Sequence, residues 1–369
     1  MGGPIRVLHA VVNMNRGGAE TLIMNLYRNM DRSKVQFDFL TCKPGAFDDE
    51  ITEMGGRIHR IPYITDGGHR NYINHLDQFF KANSQYKIVH AHMDKMSGFV
   101  LRAAKKAGVP MRIAHSHNTQ SEGGIAVKIY KSYAGSQISK ASTHYLACSK
   151  VAAKWLFKSK ASSSTILKNG IELNKFAFSQ AIRDHVRAKL RIEKNTLAIG
   201  HIGRFNHQKN HIFLIDIFNE LLKTVPNAVL ILVGVGPLRS SIEEKVKGLN
   251  IENKVQFLGS RSDVELLLQA FDLFVFPSLH EGLPVTLVEA QASGLPCIIS
   301  DNISNEVDMD INLIKYASNT NMSEWIKKIH EARKLKINRN INFKNLSDKG
   351  YDIQHSSEWT KEYYLAISR

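Results

Sequence analysis

A chain of 369 residues, 43% of them apolar, is long enough to fill two cores and suits two domains better than one. It carries 49 Lys and Arg against 34 Asp and Glu, a formal charge of +15, which calls for an anionic partner: nucleic acid, anionic lipid or a phosphorylated substrate. The lack of a long apolar run or a signal-peptide layout points to a cytoplasmic chain, and three scattered cysteines, Cys42, Cys148 and Cys297, exclude a disulfide framework or a zinc knuckle.

In chain order, "IRVLHAVV" reads as a strand, "NMNRGG" as a loop, and "AETLIMNLYRNM" as a helix with Leu22, Ile23, Leu26 and Met30 on one face. Strands "VQFDFLT" and "RIHRIP", helix "YINHLDQFFKAN", strand "KIVHAHM", helix "SGFVLRAAKKAG" and strand "MRIAHSH" follow. The rhythm restarts at Leu197 and continues to Asp301, through "LAIGHIG", "AVLILVG", "VQFLG", "DLFVFPS" and "PCIISD", with helical segments between them. Strands alternating with helices predict two doubly wound parallel sheets, joined near the turn Asn169-Gly170. The expected domains are 1–168 and 169–352, with a last helix at about 353–369 packing back on the first. Asn302 to Asn345 is polar and basic, and its helices are only loosely defined by pattern.

Between Glu122 and Glu172 there is no carboxylate but eight lysines, interleaved with Ile129, Tyr130, Tyr133, Trp155, Leu156 and Phe157. This basic region, 123–171, is the expected place for an anionic membrane surface, with "WLF" at 155–157 as its apolar foothold.

In open parallel sheets ligands bind beyond the carboxyl ends of the strands, so the loops there hold the candidate chemistry. "FPSLHEGLPVTLVEA" sets Glu281 in such a loop and Glu289 about one and a half turns into the following helix. Pro284 is expected near the first helical position, with the N–H groups of Val285 and Thr286 facing outward as an anion site. "GHIGRFNHQKN" places Arg204 and Lys209 in another post-strand loop, a second clamp for negative charge. "NMNRGGAE" is not the dinucleotide fingerprint, yet Gly17-Gly18 suits a close approach to phosphate. Two H-x-H pairs, His90/His92 and His115/His117, lack an accompanying Cys or carboxylate, so no metal site is expected. "DMD", Asp308 to Asp310, does not follow an apolar strand and is set aside as a metal motif.

The Glu281/Glu289 spacing with its flanks "FVFPSLHEGLP" and "VEAQASGLPCIISD" resembles the E-x7-E signature of the family 4 retaining glycosyltransferases of the GT-B fold. "GRFNHQKN" resembles that family's G-R-x4-K loop, "GVGPL" its G-x-G-P loop, and "AHSHN" its strand-end histidine loop. The resemblance covers most of the chain and implies two Rossmann-like domains facing across a cleft. By position it gives Glu281 the donor-sugar hydroxyls, Glu289 the ribose, Arg204 and Lys209 the diphosphate, and His117 the place beside the transferred sugar, with His115 in reserve. The residues acting on the reacting group would be His117, Glu281, Arg204 and Lys209. Donor binding would add Gly17, Gly18, Gly203, Gly234, Gly236, Gly282, Leu283, Pro284, Val285, Thr286 and Glu289. Val235 departs from the acidic or polar residue more often found between the two glycines of the G-x-G-P loop.

The resemblance implies a nucleotide-sugar donor, UDP-linked by expectation, and a saccharide or lipid-linked acceptor in exopolysaccharide or capsule assembly. The nucleotide-sugar is a co-substrate, and neither a cofactor nor a metal is expected. A front-face route, in which the leaving phosphate helps deprotonate the acceptor, would retain configuration. A 2-epimerase or hydrolase of UDP-sugars with the same fold is the alternative. Nucleic-acid binding would rest on charge alone, and no helix-turn-helix, zinc finger or RNP-type motif supports it.

Overall fold

Among the residues described by the computed structural model, 3–121, 123–335 and 338–368, every strand pairs in parallel with its sheet neighbours. The chain divides into two compact units, Met1–Ile171 with Gly350–Arg369, and Glu172–Lys349.

The first unit holds strands β1 (Ile5–Ala10), β2 (Val35–Thr41), β3 (Ile58–Arg60), β4 (Ile88–Ala91), β5 (Met111–Ser116), β6 (His144–Ala147) and β7 (Thr165–Ile166), in the sheet order β3-β2-β1-β4-β5-β6-β7. Its core gathers Val7, Leu26, Phe37, Phe39, Ile88, Ile113 and Leu146. The final helix, Ile353–Ile367, lies against the helix Gly18–Arg28, where Ser357 Oγ donates to the Leu26 carbonyl at 3.2 Å. Tyr364 enters the core edge-on to Phe37. The Asn169-Gly170 turn belongs to this unit rather than opening the second, because Ile171 bonds to the backbone of Tyr351 and Ile353, and Gly170 packs directly on Ile353.

The second unit holds β8 (Leu197–Ile202), β9 (Ala228–Val233), β10 (Val255–Gly259), β11 (Leu273–Phe276), β12 (Cys297–Ser300) and β13 (Ile314–Ala317), in the order β10-β9-β8-β11-β12-β13. Strand β9, "AVLILV", is buried along its length, as a central parallel strand covered on both faces must be. The loosely patterned stretch from Asn302 contains β13 and the helix Met322–Lys334; Lys336 and Ile337 lie outside the described residues. Trp325, Ile329 and Ala332 form a narrow buried stripe on that helix, and Lys327 and Lys334, which dilute the pattern, are exposed.

In each sheet the order of connection reverses once, between β1 and β4 and between β8 and β11. Loops leaving neighbouring strands diverge there and open a crevice at the carboxyl ends. The sequence candidates cluster at these two points.

Trp325 is fully buried, edge-on to Phe213, with its Nε1–H donating to the Ser318 carbonyl at 2.9 Å. Trp325→Ala is expected to destabilise the second unit by about 3–5 kcal/mol, read as a lower urea midpoint at unchanged slope.

Candidate functional site

In the second unit, the loop after β8 carries Gly203, Arg204 and Lys209, and the loop after β11 carries Glu281. The two loops are tied by backbone and side-chain bonds: Leu279 N–H donates to the Gln208 carbonyl at 2.8 Å, and Gln208 Nε2 to the His280 carbonyl at 2.8 Å. Asn210 and Asn319 both donate to the Pro277 carbonyl at 3.2 Å. Across this seam Lys209 Nζ meets Glu281 Oε1 at 2.7 Å, with the side chains 15% and 7% exposed, and the ammonium lies 4.6 Å from the centre of the Phe276 ring. Arg204, on the same loop as Lys209, is exposed.

Gly234 and Gly236, after β9, are held by packing. Gly234 has φ +140, and a Cβ there would strike the Gly203 carbonyl; one on Gly236 would strike the Phe205 carbonyl. The loops after β8 and β9 thus interlock backbone to backbone, which only glycine permits.

Leu283, Pro284 and Val285 are buried, Gly282 precedes them, and the helix runs Val285–Ala292. Pro284 caps it from outside, one residue earlier than expected, because its ψ of 108 is extended. Val285 and Thr286 therefore supply the first two N–H groups, which have no acceptor within a helix. Glu289 projects from the second turn; burial, followed by the charge of Glu265, pushes its carboxyl up to about 7.

His201, on β8, donates Nδ1–H to the Val275 carbonyl at 2.9 Å, and burial lowers it to about 3. It is a neutral ring beneath the Gly203 loop that the sequence reading passed over. Its signal was its place near the end of an apolar strand. The pair Asp308 and Asp310 forms a local turn, with Asp310 N–H on Asp308 Oδ1 and Lys349 on Asp310.

In the first unit, Gly17 and Gly18 open the helix after β1 with ordinary negative φ at Gly17, and a Cβ on Gly18 would meet nothing within 4 Å. The H-x-H pairs come together at the β1/β4 switch point with His9, which sequence reasoning did not single out although His9 pairs in register with His90. His9 Nδ1 lies 3.0 Å from His92 Nε2, His92 Nδ1 2.9 Å from His117 Nε2, and His90 Nε2 3.1 Å from His115 Nδ1. Two triads among the described residues, His9/His90/His92 and His92/His115/His117, offer ring nitrogens within 4.8 Å of one another. Most of those nitrogens already face each other in pairs. Burial lowers all five rings far below the usual imidazole range, His9 and His117 to about 3, so they are neutral. Asp94, also missed, has φ +48 and accepts from Asn118 Nδ2 at 2.9 Å, and burial raises its carboxyl. It fixes the loop that carries His117.

Residues 182–345 match the model of glycosyl transferases group 1, and residues 17–163 that of the glycosyl transferase 4-like domain. The chain is 41% identical over 364 residues to the putative glycosyltransferase EpsF of Bacillus subtilis, covering 95% of this chain and 94% of that one. It is 26% identical over 294 residues to the UDP-Gal:alpha-D-GlcNAc-diphosphoundecaprenol alpha-1,3-galactosyltransferase of Escherichia coli, 76% of each chain. The crystal structure of Anabaena HepE in complex with UDP and glucose is similar in fold, with a TM-score of 0.83 at 18% identity over 98% of this chain and 100% of that one.

Because the folded-state pKa of Glu289 is raised to about 7 from an ordinary 4.5, the folded chain holds an extra proton between those values. Its contribution to stability is full below about 4.5 and lost as pH rises through about 7. Thermal melts from pH 4.5 to 8 should therefore fall more steeply for the parent than for Glu289→Gln; equal slopes would contradict the raised carboxyl.

Proposed function

The chain belongs to the group 1 glycosyltransferases with a 4-like N-terminal domain, built on the GT-B fold, and from that premise we propose that it moves a sugar from a UDP-linked donor to a saccharide or lipid-linked acceptor in exopolysaccharide or capsule assembly. The observation that carries the donor half is the Lys209–Glu281 pair at the β8/β11 switch point, with Glu289 one helix turn beyond. The diphosphate of the donor takes Arg204, Lys209 and the N–H groups of Val285 and Thr286; Glu289 takes the ribose and Glu281 the sugar hydroxyls. As the glycosidic bond breaks, negative charge grows on the leaving diphosphate, and fixed cations stabilise it without a divalent ion. The acceptor is deprotonated by that phosphate and configuration is retained. UDP in the HepE complex and the diphosphoundecaprenol in the E. coli relative's name support the donor and acceptor classes.

Glu289→Ala should weaken UDP itself roughly ten- to a hundredfold, from the loss of a hydrogen-bonded charged group worth about 1–3 kcal/mol. Glu281→Gln, whose amide oxygen still accepts from Lys209 Nζ, should leave UDP affinity within about twofold and suppress transfer. Calorimetric titration of UDP into both variants, with transfer assayed in EDTA, tests this: equal affinities, or activity that needs added magnesium or manganese, would overturn the roles.

A membrane-facing role for 123–171 is favoured by the helix Ile125–Gly135. Ile125, Ile129 and Tyr133 there are 80%, 66% and 53% exposed, beside exposed Lys128. The foothold is this helix and not "WLF", because Leu156 and Phe157 are buried in the unit and Trp155 stacks under Lys95. Glu122 lies outside the described residues. No helix among the described residues is long and apolar enough to cross a membrane, so contact would be peripheral. Sedimentation with anionic but not zwitterionic vesicles, reduced at least severalfold by Ile125→Ser with Ile129→Ser, is expected; an unchanged bound fraction would refute it.

A further inference from the structure

The five histidines at the β1/β4 switch point form two hydrogen-bonded lines. In the first, Tyr364 Oη lies 2.6 Å from His90 Nδ1, and His90 Nε2 lies 3.1 Å from His115 Nδ1. In the second, His9, His92 and His117 are joined at 3.0 and 2.9 Å. The lines run side by side, with the His90 ring tilted against His92 at 4.1 Å and His115 stacked on His117 at 4.0 Å between ring centres. The buried ends His115 Nε2, His117 Nδ1 and His9 Nε2 have no protein partner.

A neutral imidazole has one N–H, so choosing its donor nitrogen at one ring chooses it for the whole line. The first line has a chemical terminus. A phenol is a stronger donor than an imidazole N–H, and the 2.6 Å separation is short for N–H···O but suits O–H as donor. Tyr364 therefore donates to His90 Nδ1, His90 Nε2–H donates to His115 Nδ1, and His115 is left with its N–H at Nε2. The second line lacks such an end and can be all Nδ1–H or all Nε2–H. Its dipoles lie against those of the first, and neighbouring dipoles in a low-dielectric interior are most stable antiparallel. That setting places the protons at Nε2 of His117, His92 and His9, and leaves His117 Nδ1 as a lone pair.

We propose that Tyr364, on the C-terminal helix, is a positioning residue: through the His90–His115 line it fixes the His9–His92–His117 line in one tautomer, so that His117 presents Nδ1 as an acceptor for a saccharide hydroxyl. The hydroxyl contact rests on the proposed sugar-transfer reading; the tautomer order does not. A neutral acceptor beside the neutral donor His115 Nε2–H suits hydroxyl groups, which can both give and take a hydrogen bond, better than an ionised phosphate, which can only accept. The lowered titration of all five rings is consistent with this, since a proton added to either line would disrupt its order.

The test is nitrogen NMR on the full chain with 15N-labelled histidine, compared with Tyr364→Phe, which removes one oxygen. Expected in the parent are pyrrole-type Nε2 and pyridine-type Nδ1 for both His115 and His117, and in Tyr364→Phe mixed tautomers at His90, His115 and His117. A protonated Nδ1 at His117 in the parent, or identical patterns in the two proteins, would overturn the inference, as would zinc at equimolar concentration replacing the N–H signals of the cluster. Sugar transfer is read on the same samples: a fall of about tenfold or more in kcat/KM at unchanged UDP affinity supports the hydroxyl contact. Altered tautomers with unaltered transfer would uphold the line and remove the contact. Should Tyr364→Phe unfold, the parent spectrum alone decides the tautomer order.

Discussion

The ion pair between Lys209 and Glu281 is the contact on which the second unit's site depends. Two side chains taken largely out of water are costly unless each satisfies the other, and the cost of separating them fixes the loops that carry them. Those loops leave β8 and β11, which are neighbours because the sheet's connection order reverses there. The pair therefore spans the crevice at the switch point. The Phe276 face under the ammonium adds a soft electrostatic floor. With the loops held in this way, the helix that begins at Val285 has a fixed start, and Glu289 a fixed place in its second turn.

The two switch points carry different electrostatics. The second gathers ionisable side chains: Arg204, Lys209 and Glu281 lie on loops beyond the strands, and Glu289, its carboxyl pushed up to about 7, on the second turn of the following helix. The first buries five imidazoles without a charge among them and orders them by hydrogen bonds. Fixed cations suit a diphosphate, whose charge increases on departure, whereas neutral donors and acceptors suit hydroxyl groups. The net positive charge of the chain is spread more widely and includes the exposed lysines between 128 and 160.

Much of this was legible in the chain. Strand β2 and strand β10 coincide with "VQFDFLT" and "VQFLG", since apolar runs bounded by polar turns leave little choice of conformation. The acids at 281 and 289 and the cations at 204 and 209 fall, as expected, after the strands β8 and β11, since each apolar run marks the strand end that precedes them. The histidine cluster was only half visible. His90, His92, His115 and His117 stood out as pairs, but His9 and Tyr364 join them through strand order and the return of a helix some 250 residues later, which local pattern does not encode. Burial was also illegible at 155–157: Leu156 and Phe157 turn inward because the helix Lys150–Phe157 presents that face to the sheet, while the apolar surface that stays exposed lies on 125–133. Gly234 and Gly236 looked like ligand-approach positions, and the interlocking of two loops already accounts for them.

The proposed reaction stands or falls on whether the nucleotide enters the crevice between the loops after β8 and β11. A crystal structure of the full chain soaked with UDP tests it most directly. Diphosphate oxygens are expected within hydrogen-bond distance of Arg204, Lys209 Nζ and the N–H groups of Val285 or Thr286, with a ribose hydroxyl on the Glu289 carboxyl. UDP bound with its diphosphate away from Arg204 and Lys209, or its ribose away from Glu289, would contradict the proposal.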